Sequence, residues 1–159
     1  MSPNTLPAEF ARFALRDAAV LIAAILLWLL APVAEHWAIA TGGVTGVCAL
    51  LFHEWGHLYG AYRSGAVVHP APMWSPFLFD LDSKLNSRAQ FLSVSLWGFA
   101  ATGIFLLVFA LWLPLDTLAG RVAMGIGLLL ATLTVVIEFP LAYRVYRGGT
   151  LPPVEIHRR

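Results

Sequence analysis

The chain has 159 residues, of which 59% are hydrophobic and only 12% are charged. A soluble domain of this size usually carries about a quarter charged residues, so the composition excludes an ordinary soluble domain and indicates a membrane protein. The formal net charge of +1 gives no reason to expect nucleic acid as a partner. The expected partner of the chain's surface is therefore the lipid bilayer.

The predicted fold is an all-α, polytopic membrane protein with a single membrane domain over residues 1–148. Four apolar runs are each near or above the roughly twenty residues that cross a bilayer. The four predicted transmembrane helices cover about residues 18–34, 38–62, 91–113 and 120–143. Residues 8–16 are expected to form a separate short helical turn at the membrane surface, and residues 149–159 a flexible tail.

Basic residues predict the orientation of these spans. Of the ten Lys and Arg residues, all but Arg121 fall on one side of a four-span arrangement. In membrane proteins the cytoplasmic segments carry the excess of basic residues. Both termini and the loop of residues 63–90 are therefore expected in the cytoplasm, with the protein in the cell membrane as a multi-pass chain.

The second predicted span contains the pattern His-Glu-x-x-His at residues 53–57. Residues four apart share one helix face, so His53 and His57 can bind one metal ion together. Glu54 is rotated by about 100° from His53, which places its carboxylate beside the ion rather than on it. Glu54 is therefore free to accept a proton from water as a general base. Ionisable groups are costly within an apolar span, which favours a functional site over a chance match.

Small residues predict which helix faces pack against each other. One face of the second span carries Gly42, Gly46, Ala49, His53, Gly56 and Gly60. A face with the same spacing in the fourth span carries Gly120, Met124, Gly127, Ala131, Thr134 and Glu138. Both spans run in the same direction and His53 and Glu138 lie at similar depths, so Glu138 is the expected third metal ligand. Two His with one Glu is a catalytic zinc ligand set with an open fourth position. The alternative is that Glu138 lies at the membrane interface near Arg144.

With these residues, the chain resembles the site-2 protease family of intramembrane zinc metalloproteases. The resemblance covers residues 42–105, with the motif at residues 53–57 and Gly98-Phe99-Ala100-Ala101-Thr102, which is similar to the family's Gly-Pro-x-Ala-Asn helix start. The family implies zinc, a site near the cytoplasm and cleavage of membrane-embedded substrates. The family's later Asp-Gly pair, which supplies its third ligand, has no counterpart here, and the last span carries Glu138-Phe139-Pro140 instead.

The loop after the second span is predicted to contain a short hairpin. Residues 66–69 and 77–82 are typical of two extended segments, and three prolines lie between them. In the segment of residues 77–82, strict alternation of side chains predicts one apolar and one mostly polar face, with Leu78 on the polar face. The hairpin is expected to lie on the lipid headgroups with Trp74 as an anchor, and its edge could also pair with an extended substrate. His69 is interpreted as a solvated loop residue rather than as a ligand.

The favoured function is a zinc endopeptidase that hydrolyses peptide bonds of transmembrane protein substrates near the cytoplasmic side. Glu54 is the predicted catalytic residue, and His53, His57 and Glu138 are the predicted ligands of Zn²⁺. One alternative is a catalytically inactive, zinc-binding membrane scaffold of the same family, which the missing Asp-Gly pair favours and the intact Glu54 opposes. A metal-ion transporter is disfavoured, because the chain offers one clustered site and no second polar helix. The sequence determines neither the substrate nor the oligomeric state.

Overall fold

A computed structural model describes residues 8–30 and 35–152 of the chain. This described part contains four α-helices and one two-stranded antiparallel sheet. The helices are α1 (Ala8–Leu30), α2 (Ala38–Ser64), α3 (Arg88–Trp112) and α4 (Leu118–Tyr146), and a short 3-10 helix at Glu35–Trp37 precedes α2. The strands are β1 (Val68–Pro70) and β2 (Phe79–Leu81), which lie between α2 and α3. The prediction of an all-α fold with a short hairpin is confirmed.

Three of the described helices contain segments long and apolar enough to cross a membrane. These segments are Phe10–Leu30, Arg88–Trp112 and Leu118–Tyr146, with 21, 25 and 29 residues. The prediction of four such spans is not supported, because α2 does not belong to this group. Its glycines and the polar residues of the motif lower its mean hydropathy, and many of them are buried against other helices. The first predicted span also extended over residues 31–34, which lie outside the described residues.

The helix α2 lies at the centre of the bundle and contacts each of the other three helices. Its glycines allow the neighbouring backbones to approach closely. A Cβ added to Gly56 would lie 2.6 Å from the carbonyl oxygen of Trp97 in α3, and one added to Gly42 would lie 2.6 Å from that of Ala119 in α4. The small-residue face predicted for this helix is therefore its packing face.

The helix α1 is continuous from Ala8 to Leu30, which corrects the prediction of a separate turn over residues 8–16. The prediction placed a break where Arg16 and Asp17 interrupt the apolar pattern. In the structure these two side chains form an ion pair of 2.7 Å, and Asp17 is buried. The helix therefore continues through both charges. Of the predicted tail, residues 149–152 follow α4 without helix or strand, and residues 153–159 lie outside the described residues.

The hairpin of β1 and β2 covers one side of the bundle end formed by α1 and α2. Its strands pair in antiparallel orientation, as the sequence predicts. The prediction that Leu78 lies on a polar face is wrong. Leu78 is fully buried and packs against Phe10 and Phe13 of α1 and Leu58 of α2. Strict alternation failed here because Leu78 faces α1 and α2, whereas Phe77, predicted on the apolar face, is exposed. This contact brings the hairpin backbone to the motif helix.

Candidate metal centre

Three side chains from two helices converge on one point. His53 and His57 project from α2, and Glu138 projects from α4. The Nε2 atoms of the two histidines lie 2.8 Å apart. Oε1 of Glu138 lies 3.1 Å from Nε2 of His53, and its Oε2 lies 3.1 Å from Nε2 of His57. The structure thus brings the three predicted ligands together as a cluster that could hold a metal ion.

The neighbouring helix α3 fixes the orientation of both imidazole rings. Nδ1 of His57 donates to the backbone carbonyl of Val94 at 2.9 Å. Nδ1 of His53 lies 3.1 Å from the carbonyl oxygen of Gly98 and 2.9 Å from the hydroxyl of Thr102. Histidines that bind metals usually donate their other ring N–H to a carbonyl or carboxylate in this way. Both rings are therefore held with Nε2 directed at the site.

These contacts determine where the ring hydrogens lie. A carbonyl oxygen can only accept a hydrogen bond, so the nitrogen facing it, Nδ1, carries the hydrogen in both His53 and His57. In a neutral ring, Nε2 then presents a lone pair, and it faces the carboxylate of Glu138, which is also an acceptor. Acceptors at such short separations repel one another unless positive charge lies between them, supplied by a metal ion or by protons.

The residues present fit a metal ion that prefers nitrogen and oxygen ligands. Tetrahedral zinc holds such ligands at about 2.0–2.2 Å, which places neighbouring ligand atoms about 3.3–3.6 Å apart. The separations of 2.8 and 3.1 Å in this cluster are shorter than that value by about 0.2–0.8 Å. Small side-chain rotations would therefore open the cluster to the size of the ion. Two imidazoles and one carboxylate leave a fourth position for water or substrate.

The cluster is enclosed on the α2 side and opens at Glu138. The exposed fraction of the side chain is 2% for His53, 13% for His57 and 29% for Glu138. The aromatic rings of Phe99 and Phe139 lie beside the cluster, with their centroids 6.3 Å apart. The cluster is therefore most exposed at Glu138, where these two aromatic rings lie beside it.

Glu54 lies on α2 next to the ligand cluster but is not part of it. Its side chain is buried, and Oε2 accepts a hydrogen bond of 3.2 Å from the backbone N–H of Leu78. The segment before β2 therefore holds one oxygen of this carboxylate. This hydrogen bond gives Glu54 a structural contact with the hairpin, and its role as a general base stays a prediction.

Of the other histidines, the two that the structure describes, His69 and His36, do not lie in the cluster. His69 donates from Nε2 to Oδ2 of Asp82 across the hairpin at 3.1 Å, and this hydrogen bond lowers the pKa of the Asp82 carboxyl below its ordinary value. His36 precedes α2 and stacks at an angle on Trp37. His157 lies outside the described residues.

Four groups around the site were missed by sequence reasoning: the carbonyls of Val94 and Gly98, the hydroxyl of Thr102 and the N–H of Leu78. Three of them are backbone groups, which every residue type carries, so the residue types do not indicate their role. The spacing of α3 offers a signal, because Val94, Gly98 and Thr102 are four apart, like His53 and His57. Two facing helices with matched four-residue spacing can pair turn by turn.

No protein-family model, curated protein or solved structure was found to match this chain. Function is therefore inferred from the chemistry of the site residues themselves.

Proposed function

We propose that this protein is an intramembrane zinc endopeptidase that hydrolyses peptide bonds of membrane-embedded protein substrates near the cytoplasmic side. The observation that carries the proposal is the convergence of His53, His57 and Glu138 within hydrogen-bond distance, with Glu54 beside them on the same helix. A structural metal site usually has four protein ligands, whereas a hydrolytic one has three and an open position. The three ligands found among the described residues and the adjacent carboxylate both favour hydrolysis.

Each residue has a distinct task in the proposed reaction. Zinc, when bound, polarises the scissile carbonyl and lowers the pKa of water. His53 and His57 would hold the ion as neutral ligands, and Glu138 would offset one of its two charges in the low-dielectric interior. Glu54 accepts the proton of the attacking water and then donates it to the leaving amine.

We also propose that α2 is a fourth membrane-spanning helix. Its 27 residues give a length of about 40 Å, which exceeds the hydrocarbon thickness of about 30 Å. Mean hydropathy underrates a span that other helices shield from lipid, since such a helix can carry glycines and polar groups on its packed faces. The contacts of Gly42 with α4 and of Gly56 with α3 indicate that α2 is such a helix.

The helix directions support the orientation inferred from the basic residues. Trp28 of α1 bonds to Thr45 near the start of α2, and Asp17 of α1 bonds to Trp55 towards its end, so α1 and α2 run in opposite directions. Four alternating spans would place the start of α1, the hairpin and the end of α4 at one end of the bundle. The positive-inside rule assigns that end to the cytoplasm.

A second candidate is a zinc-binding scaffold without catalytic activity, and one contact favours it. The hydrogen bond from Leu78 N–H to Glu54 gives this glutamate a structural role. A scaffold could therefore retain Glu54 without using it as a base. The two candidates share the metal centre and differ only in turnover.

A comparison of zinc content and peptide cleavage tests the proposal. The purified full chain in lipid nanodiscs is loaded with zinc and incubated with a library of single-span peptides, and the products are identified by mass spectrometry. Glu54→Gln should retain zinc and reduce cleavage by about 10²–10⁴-fold, because the amide cannot accept the proton. The control Asp116→Asn, an exposed carboxylate before α4, should cleave at the wild-type rate. Full zinc occupancy without cleavage by the wild type would favour the scaffold, and cleavage that persists in Glu54→Gln would refute the mechanism.

A further inference from the structure

Asp17 is a buried carboxylate of α1 that the proposed reaction does not use directly. Only 3% of the residue is exposed. Its Oδ1 accepts a hydrogen bond from Nε of Arg16 at 2.7 Å, and its Oδ2 accepts one from Nε1 of Trp55 at 2.8 Å. Trp55 directly follows Glu54 in α2. A buried carboxylate is strongly destabilising without such partners, so these contacts tie α1 firmly to the motif.

Arg16, the ion-pair partner of Asp17, also connects α1 to the segment between β1 and β2. Nη1 of Arg16 donates to the backbone carbonyls of Met73 at 3.2 Å and of Ser75 at 2.9 Å, both in the segment between β1 and β2. A guanidinium offers five donors in a fixed plane, so one arginine can bind a carboxylate and two carbonyls together. Arg16 therefore holds the backbone of this segment against α1.

The same segment reaches Glu54 at Leu78, three residues after Ser75. The backbone N–H of Leu78 donates to Oε2 of Glu54, and the Leu78 side chain is fully buried beside Phe13. Glu54 is thus held from two directions. Trp55, bonded to Asp17, fixes its helix position, and the segment anchored by Arg16 fixes its carboxylate.

We propose that Arg16 and Asp17 are positioning residues that hold the Leu78 N–H against Glu54 and so set the orientation of the general base. The inference rests on the proposed hydrolytic function. Neither residue contacts the three ligand atoms, so their loss should leave zinc binding intact. A displacement of about 1 Å in a reacting group can lower a rate by about 10²-fold.

The primary test is Arg16→Gln, with Arg12→Gln as the matched control. Arg12 lies one turn earlier on α1 and is also placed over the Phe13 ring, at 5.2 Å compared with 5.1 Å for Arg16. Within the described residues, only Arg16 of the two bonds to the hairpin carbonyls. Arg16→Gln should lower kcat by about 10²-fold with unchanged KM and unchanged zinc affinity, while Arg12→Gln should resemble the wild type.

Hydrogen exchange provides a readout that does not depend on activity. Without substrate, the amide of Leu78 should exchange at least about tenfold faster in Arg16→Gln than in Arg12→Gln, as expected when a protecting bond opens locally. Trp55→Phe keeps the aromatic packing, removes the indole N–H, and should produce the same faster exchange. Arg16→Lys keeps a charged donor and should recover part of kcat.

The two proposals fail in different ways. If the wild type binds zinc but cleaves nothing, the proposed hydrolysis is wrong, and Leu78 exchange still decides whether Arg16 holds the hairpin. If the wild type is active and Arg16→Gln matches Arg12→Gln in both kcat and Leu78 exchange, the positioning role is refuted. A parallel loss of zinc in Arg16→Gln would also refute it, because that result indicates general unfolding of the site.

Discussion

Gly98 of α3 provides a sharp test of how the metal centre is built, because the His57 ring lies directly against its Cα. A Cβ added at this position would overlap the ring at three of its atoms. The ring would have to retreat by about 1 Å to reach an ordinary contact distance of about 3.5 Å. Zinc–ligand distances tolerate only about ±0.2 Å, so Gly98→Ala should displace Nε2 of His57 from its ligand position.

The expected magnitude follows from this overlap. Overpacking typically destabilises a fold by about 1–3 kcal/mol, and disturbing the group behind a ligand lowers metal affinity by about 10–100-fold. Zinc dissociation constants from chelator competition and the midpoint of thermal unfolding in nanodiscs measure both effects for Gly98→Ala.

Gly103→Ala is the matched control for this substitution. Gly103 lies in the same helix, and an added Cβ would meet nothing within 4 Å. Its replacement by alanine should leave zinc binding unchanged and stabilise the helix by about 0.5–1 kcal/mol. If Gly98→Ala binds zinc as tightly as Gly103→Ala, the contact between His57 and α3 does not orient the ligand.

Three further predictions concern the third ligand, the hairpin and the topology. Glu138→Ala should lose zinc as His57→Ala does, by more than the roughly 100-fold expected for a group behind a ligand, and chelator competition measures it; an affinity close to wild type would exclude Glu138 as a ligand. The hydrogen bond from His69 lowers the pKa of Asp82, so its stabilisation should be complete above the ordinary value of 3.8 and be lost as the pH falls through the lower folded value. The protection of hairpin amides against hydrogen exchange, relative to their intrinsic exchange rate at each pH, should therefore fall below about pH 4 in the wild type but show no such step in Asp82→Asn, and identical profiles would contradict this linkage. A reporter fused after residue 159 should be active only on the cytoplasmic side, and activity only on the outer side would overturn the four-span proposal.

Helix periodicity, together with the similar depths of His53 and Glu138, predicted that these side chains and His57 lie together. His53 and His57 are four residues apart in a helix, and Glu138 shares a face with small residues in α4, so both sets turn towards a helix interface. The distances of 3.1 Å between Glu138 and each histidine agree with that prediction. The convergence could be predicted because the side-chain spacing on a helix is fixed by the backbone geometry.

The errors arose where tertiary contacts override local patterns. The prediction of a separate turn over residues 8–16 placed Arg16 at the membrane surface, whereas the hairpin carbonyls bond to Arg16 and Trp55 bonds to the neighbouring Asp17. Leu78 was predicted on a polar face, but α1 covers that face and buries it. Neither contact has a signature in the local sequence, because each joins segments tens of residues apart.

X-ray absorption spectroscopy at the zinc edge of the loaded protein tests the central claim most directly. We predict two imidazole nitrogens and one carboxylate oxygen at about 2.0–2.2 Å, with the fourth position filled by water. Glu138→Gln should change or remove this coordination, while Glu54→Gln should leave the spectrum as in the wild type. A spectrum with fewer than two imidazoles, or one that changes with Glu54 and not with Glu138, would contradict the proposed metal centre.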